Sequence, residues 1–178
     1  MNHISDEDFL KQPKETQETL RSWWQPQMYD LFFRDFRSDK DTYLNGVYKS
    51  CIQDNETLKN ATKNNTFLPL LVEGQLRQFI EDKTGYTITP KFEEYNSPFI
   101  NDTYYIHLFD SKKTHKIIQT YEIETSSLLK AYWQVACQIA QKEVNNQKQN
   151  IISTNRQGLP VIKGGGKTMR EMYNEKCR

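Results

Sequence analysis

The sequence predicts an α+β fold, a mostly antiparallel sheet with helices packed on it, followed by a basic C-terminal extension. Three observations carry this prediction. Val72, Leu76, Phe79, Ile80 and Lys83 recur at the spacing of one helix face, and Gly85 follows as a stop that enters the left-handed conformation without steric cost. Leu128, Leu129, Tyr132, Trp133, Val135, Ala136, Ile139 and Ala140 form a second, broader helical stripe. Between them, Thr103 to Phe109 and Lys116 to Ile123 alternate in the manner of two strands, joined by Asp110-Ser111-Lys112-Lys113 as a hairpin turn. Strands bracketed by helices in this order pack as an α+β sandwich.

The N-terminal elements follow from local chemistry. Ser5 before Asp6-Glu7-Asp8 starts a short helix, because the hydroxyl caps free N–H groups and carboxylates suit the positive helix end. Pro13 ends that helix and opens a second one, tolerated in its first turn, which runs to about Trp23 and stops at Gln25-Pro26. Met28 to Phe33 is expected to be a strand, although its alternation is imperfect. Tyr43 to Tyr48 is open between a strand and a helical turn, and Gln53 to Asn65 is expected to be a polar loop. Tyr86 to Thr89 leads into Lys91 to Tyr95, with Pro90 confining this strand to an edge or a bulge. If the hairpin pairs symmetrically, Tyr104, Ile106 and Leu108 face the core with Ile117, Gln119 and Tyr121. Tyr105, His107, Phe109, Ile118, Thr120 and Glu122 then lie on the other side. The last helix is expected from about Thr125 to Asn145, capped by Thr125, Ser126 or Ser127.

Composition and charge bound the function. In 178 residues, 36% apolar content with 22 aromatic side chains (ten Tyr, nine Phe, three Trp) supports a modest core. No run approaches the roughly 18–20 apolar residues of a membrane span. The chain divides into a core of residues 1–145 and a tail of residues 146–178. The tail holds seven basic residues against Glu171 and Glu175, a net +5, and the core holds 17 basic against 21 acidic residues, a net −4. Such asymmetry marks either a contact with nucleic acid or an acidic partner, or a solvated extension. Cys51, Cys137 and Cys177 lie far apart, which suits neither a disulfide framework nor a CxxC zinc site. With no basic-then-apolar leader at Met1 to Asp8, the expectation is a cytoplasmic protein with reduced thiols.

No motif supplies a catalytic set. Gly164-Gly165-Gly166-Lys167-Thr168 evokes a phosphate-binding loop, but Val161 stands where the leading glycine belongs and only ten residues follow Thr168. The segment is expected to be a glycine hinge before a short basic helix. His107 lies alone within a strand, His115 in a turn and His3 near the start, so no zinc or iron ligand set exists and no cofactor is expected. Glu93, Glu94, Asp102, Glu122 and Glu124 are read as a solvated strand face or, if they converge, a hard-cation site. Cys137 is flanked by apolar residues, where a thiol is inert filler. Trp23 and Trp24 point about 100° apart on a helix, so one is buried while the other covers the Gln25-Pro26 turn or anchors a partner. The candidate partner-binding residues are Trp24, Lys163, Lys167, Arg170, Lys176 and Arg178.

The segments Leu68-Pro69-Leu70-Leu71-Val72-Glu73-Gly74-Gln75-Leu76-Arg77-Gln78-Phe79-Ile80-Glu81 and Leu128-Leu129-Lys130-Ala131-Tyr132-Trp133-Gln134-Val135-Ala136-Cys137 resemble small phage and prophage proteins of Gram-positive bacteria. Lys14-Glu15-Thr16-Gln17 and Trp23-Trp24-Gln25-Pro26 fit the same likeness, and the last strands with their helix are loosely similar to the phage αβα-sandwich domain. The resemblance spans about residues 8–145 and brings no catalytic residues with it. It implies an accessory protein of a phage or mobile element acting in the bacterial cytoplasm, in a class where many members are small binders that block host defence, CRISPR effectors included. The expectation is therefore a non-enzymatic protein that binds and inhibits a host protein or protein–nucleic acid complex. The alternative is a nucleic-acid-binding module that uses the basic tail on phosphates, with salt-dependent affinity. A small-molecule site at Tyr105, His107 and Phe109 is a third class. No membrane contact is expected.

Overall fold

Ser5 does what its position predicts: its hydroxyl accepts the Asp8 N–H at 3.0 Å and starts α1 (Asp6–Leu10). In the computed structural model, which describes residues 2–35, 47–63, 66–95, 101–110 and 116–157, α2 (Lys14–Trp23) follows directly after Pro13. The strand expected from Met28 begins only at Leu31, as β1 (Leu31–Asp35). Met28 and Tyr29 form a turn instead, with Tyr29 at φ 72°. The imperfect alternation of β1 has a physical cause. It is the central strand of a three-stranded antiparallel sheet, between β2 (Val47–Cys51) and β3 (Leu68–Pro69), and both Phe32 and Phe33 are buried, one on each side.

The expected polar loop at Gln53–Asn65 is corrected by the structure, which holds α3 (Asn55–Lys63) there. Asp54 caps it, accepting the Thr57 N–H at 2.7 Å and the Thr57 hydroxyl at 3.0 Å. Only Leu58 and Ala61, three apart, turn inward to the core, too sparse a stripe for periodicity to register.

α4 (Glu73–Thr84) buries Leu76, Phe79 and Ile80 and ends at Gly85 in the left-handed conformation, φ 69°. The predicted three strands follow as β4 (Thr87–Glu93), β5 (Thr103–Asp110) and β6 (Lys116–Glu124), an antiparallel sheet in that order. Pro90 therefore lies on an edge strand, where its missing N–H costs no ladder bond. The fold is α+β as expected, with six strands among the described residues split between two small antiparallel sheets. α5 (Leu128–Gln157) continues well past Asn145, because Gln and Lys propagate a helix even where no apolar stripe demands one. The chain divides into two units, residues 1–145 and 146–178, the division falling inside α5. No helix among the described residues is long and apolar enough to cross a membrane.

One core unites the first unit. Phe9 of α1 meets Phe33 of β1 edge-on at 5.7 Å and stacks on Trp133 of α5 at 5.9 Å, so a five-residue helix bridges the first sheet and the last helix. α4 is tied to α5 by Lys83 and Glu143 at 2.9 Å, and to β4 by the Glu81 carboxylate, which accepts the Ile88 N–H at 3.1 Å. Ile88, Ile106, Leu108, Tyr121 and Ile123 of the second sheet face inward in this core.

Candidate binding surface on the second sheet

Alternation along β5 sends Tyr104, Ile106 and Leu108 to one side and Tyr105, His107 and Phe109 to the other. The observed register confirms the inner side, with Tyr104 opposite Ile123 and Ile106 opposite Tyr121. It corrects the placement of Ile117. Pairing shifts between Leu108 and Phe109, so that Leu108 faces Gln119 while Phe109 faces Ile117, and Ile118 is the extra residue of a bulge. Both isoleucines are consequently exposed, by 48% and 44%. An expectation built on symmetric pairing had no means of seeing this extra residue.

The outer side of the sheet thus carries an aromatic row on its central strand. The Tyr105 and His107 rings lie nearly parallel at 6.4 Å, and His107 meets Phe109 edge-on at 6.1 Å. His107 Nδ1 lies 2.9 Å from the Thr120 hydroxyl of the next strand, which fixes the ring between its neighbours. All three side chains are half-buried, and Ile117 and Ile118 extend the apolar strip onto β6. At one end the Tyr95 hydroxyl donates to Glu93 at 2.6 Å and Lys91 reaches the same carboxylate at 2.5 Å. Glu93 is held below its ordinary range by Lys91 and then by Tyr95. The Tyr95 phenol is pushed up by the Glu93 carboxylate and next by Tyr105, so it is a hydrogen-bond donor here and not a base.

The acidic residues of these strands do not come together. Glu93 is engaged by Lys91 and Tyr95, Asp102 accepts the Tyr95 N–H at 3.1 Å, and Glu124 accepts from Asn101 at 3.0 Å. No group of three His, Cys, Asp or Glu converges among the described residues. Burial pushes the Cys137 thiol up to about 12, which keeps it protonated.

Of the residues singled out from the sequence, Trp24 is placed in the core, 6% exposed, with its indole N–H donated to Asp30 at 2.9 Å. It is therefore not an exposed anchor. The helix stops at Trp23, and Trp24 turns away in extended conformation, which the 100° helical argument did not anticipate. Trp23 is the less buried of the two, edge-on to Phe79 at 5.3 Å and bonded to Asp82 at 2.9 Å. Lys163, Lys167, Arg170, Lys176 and Arg178, with the glycine run at Gly164–Gly166, lie outside the described residues. The surface residues that sequence reasoning underrated are Ile117 and Ile118, whose signal was two β-branched residues beside a hairpin turn. Comparison with protein-family models, curated proteins and solved structures finds no match for this chain.

Proposed function

We propose that the protein is a protein-binding module whose contact surface is the open side of the second sheet. The observation that supports this is the strip formed by Tyr105, His107, Phe109, Ile117 and Ile118, an aromatic and aliphatic surface on a three-stranded scaffold. Contiguous apolar exposure of this kind is characteristic of protein interfaces, where aromatic residues are enriched at the centre. The charges on the strip argue against a phosphate backbone: Lys91 is tied to Glu93, and Glu122 adds a further carboxylate opposite Tyr105. The likeness of residues 68–81 and 128–137 to small phage proteins supplies the context: a phage or mobile-element accessory protein that binds and inhibits a host protein, with bacterial defence complexes the leading class of target.

The experiment is capture of partners from bacterial lysate on the immobilised full chain, before and after nuclease digestion and across a salt series. A single protein partner that survives both treatments supports the proposal. Loss of all specific material on digestion or in moderate salt overturns it in favour of nucleic acid bound through the basic tail.

A further inference from the structure

Apart from that sheet surface, a cleft of about 660 Å³ has Trp23, Trp24, Tyr29, Asp30, Gln78 and Asp82 among its lining residues. Its volume lies in the range of small-molecule and side-chain pockets. We infer that this cleft is a site for a guanidinium group, the side chain of arginine. This does not depend on the sheet surface proposed above.

Among the described residues the cleft is lined by two carboxylates and by no lysine, arginine or histidine. Among the described residues both carboxylates accept from neutral donors. Asp30 takes the Trp24 indole N–H at 2.9 Å, the Gln27 backbone N–H at 3.0 Å and the Gln75 amide at 3.0 Å. Asp82 takes the Gln78 amide on one oxygen at 2.7 Å and the Trp23 indole N–H on the other at 2.9 Å. A carboxylate has about four acceptor positions, so each oxygen of Asp82 keeps one. Two parallel N–H groups of a guanidinium fit that remainder, whereas an ammonium is a single point donor.

The walls favour the same ligand. Trp23, half-buried with its N–H tied to Asp82, and Tyr29, a residue 76% exposed, line the cleft with aromatic rings of negative π-character, while Trp24 lies in the core and contributes through its bond to Asp30. Tyr29 is held in the left-handed region at φ 72° by its own N–H on the Ile52 carbonyl at 2.7 Å, while the Ile52 N–H donates to the Asp30 carbonyl at 3.0 Å. A glycine would adopt that turn with less strain, and the tyrosine ring is what the strain holds beside the carboxylates. Anions are excluded by charge, and a planar cation that both stacks and makes paired hydrogen bonds is what remains.

The test records the indole N–H resonances of Trp23, Trp24 and Trp133 in the full chain, Trp133 being a buried internal reference. Nα-acetyl-L-arginine amide, its neutral isostere Nα-acetyl-L-citrulline amide, and free L-arginine are titrated in turn. Saturable shifts at Trp23 and Trp24 with the arginine amide, none with the citrulline amide and none at Trp133, are expected. Tighter binding of free L-arginine identifies a small-molecule ligand, and equal or weaker binding identifies a peptide side chain. Asp82→Asn, which keeps an acceptor for Trp23, weakens binding at least tenfold, and Tyr29→Ala weakens it severalfold. Equal response to citrulline amide, absence of saturable shifts, or wild-type affinity in Asp82→Asn overturns the inference.

Discussion

Replacing Asp30 tests how the N-terminal helices are locked to α4. Its carboxylate receives three donors from three places: Trp24 after α2, Gln27 in the following turn, and Gln75 in the first turn of α4. Trp24 is 6% exposed, so its indole N–H is largely withdrawn from water, and losing a charged acceptor there costs about 1.5–2 kcal/mol. Gln75 cannot simply turn over, because its carbonyl oxygen accepts the Val72 N–H at 3.1 Å at the start of α4, so a further ~1 kcal/mol follows. The Gln27 N–H is exposed and water replaces its partner at a cost of about 0.5 kcal/mol or less. Asp30→Ala should therefore destabilise by about 3 kcal/mol, and Asp30→Asn, which keeps one acceptor oxygen, by about 1 kcal/mol. Urea denaturation followed by tryptophan fluorescence and by circular dichroism measures both. A double-mutant cycle with Gln75→Leu should show coupling of about 1 kcal/mol. An Asp30→Ala loss under about 1 kcal/mol, or no coupling to Gln75, would refute the reasoning.

Three other predictions follow from single residues. Tyr29→Gly relieves a left-handed tyrosine whose ring is 76% exposed, and after the entropy cost of glycine it should raise stability by about 0–1 kcal/mol in thermal or urea melts. Lys49→Met leaves the buried Asp6 carboxylate of α1 without its ammonium partner. It should cost about 1–2 kcal/mol at pH 7, discounted because the lysine is half exposed. Burial alone would raise Asp6, but Lys49 and the backbone N–H groups of Asp6 and Glu7 together lower it. That stabilisation is present above the unfolded carboxylate range near ~3.9 and is lost as pH falls through the lower folded value, so the wild-type advantage over Lys49→Met shrinks only in acid. Cys137, raised to about 12 by burial, should resist iodoacetamide at pH 8 in the native state and react on unfolding, read by mass spectrometry of the labelled peptide.

Elements whose signals are local were legible in the sequence. The Ser5 cap, the Pro13 boundary, the α4 stripe with Gly85, and the inward face of the hairpin all follow from spacing of a few residues. What escaped depends on partners far along the chain. β1 is buried on both faces because Phe33 packs on Phe9 of α1 and Phe32 on Phe67, so its alternation vanished. α3 needs only Leu58 and Ala61 to dock, so its stripe was too faint. Trp24 is drawn inward by Asp30, six residues later, and a helix wheel that ends at Trp23 does not describe it. The single extra residue at Ile118 is a property of two strands in register, and it moves Ile117 from the expected inner side to the open one. That shift matters most for function, since it enlarges the strip on which the binding proposal stands.

If that strip is the contact surface, the affinity of the purified full chain for its captured partner depends on it. Calorimetry on the wild type and on a Phe109→Ser, Ile118→Lys double variant, with thermal midpoints measured in parallel, gives the comparison. The double variant should lose at least tenfold in affinity with little change in midpoint, because the substituted side chains lie on the open side of the sheet. Wild-type affinity in the double variant would contradict the assignment of the strip as that surface.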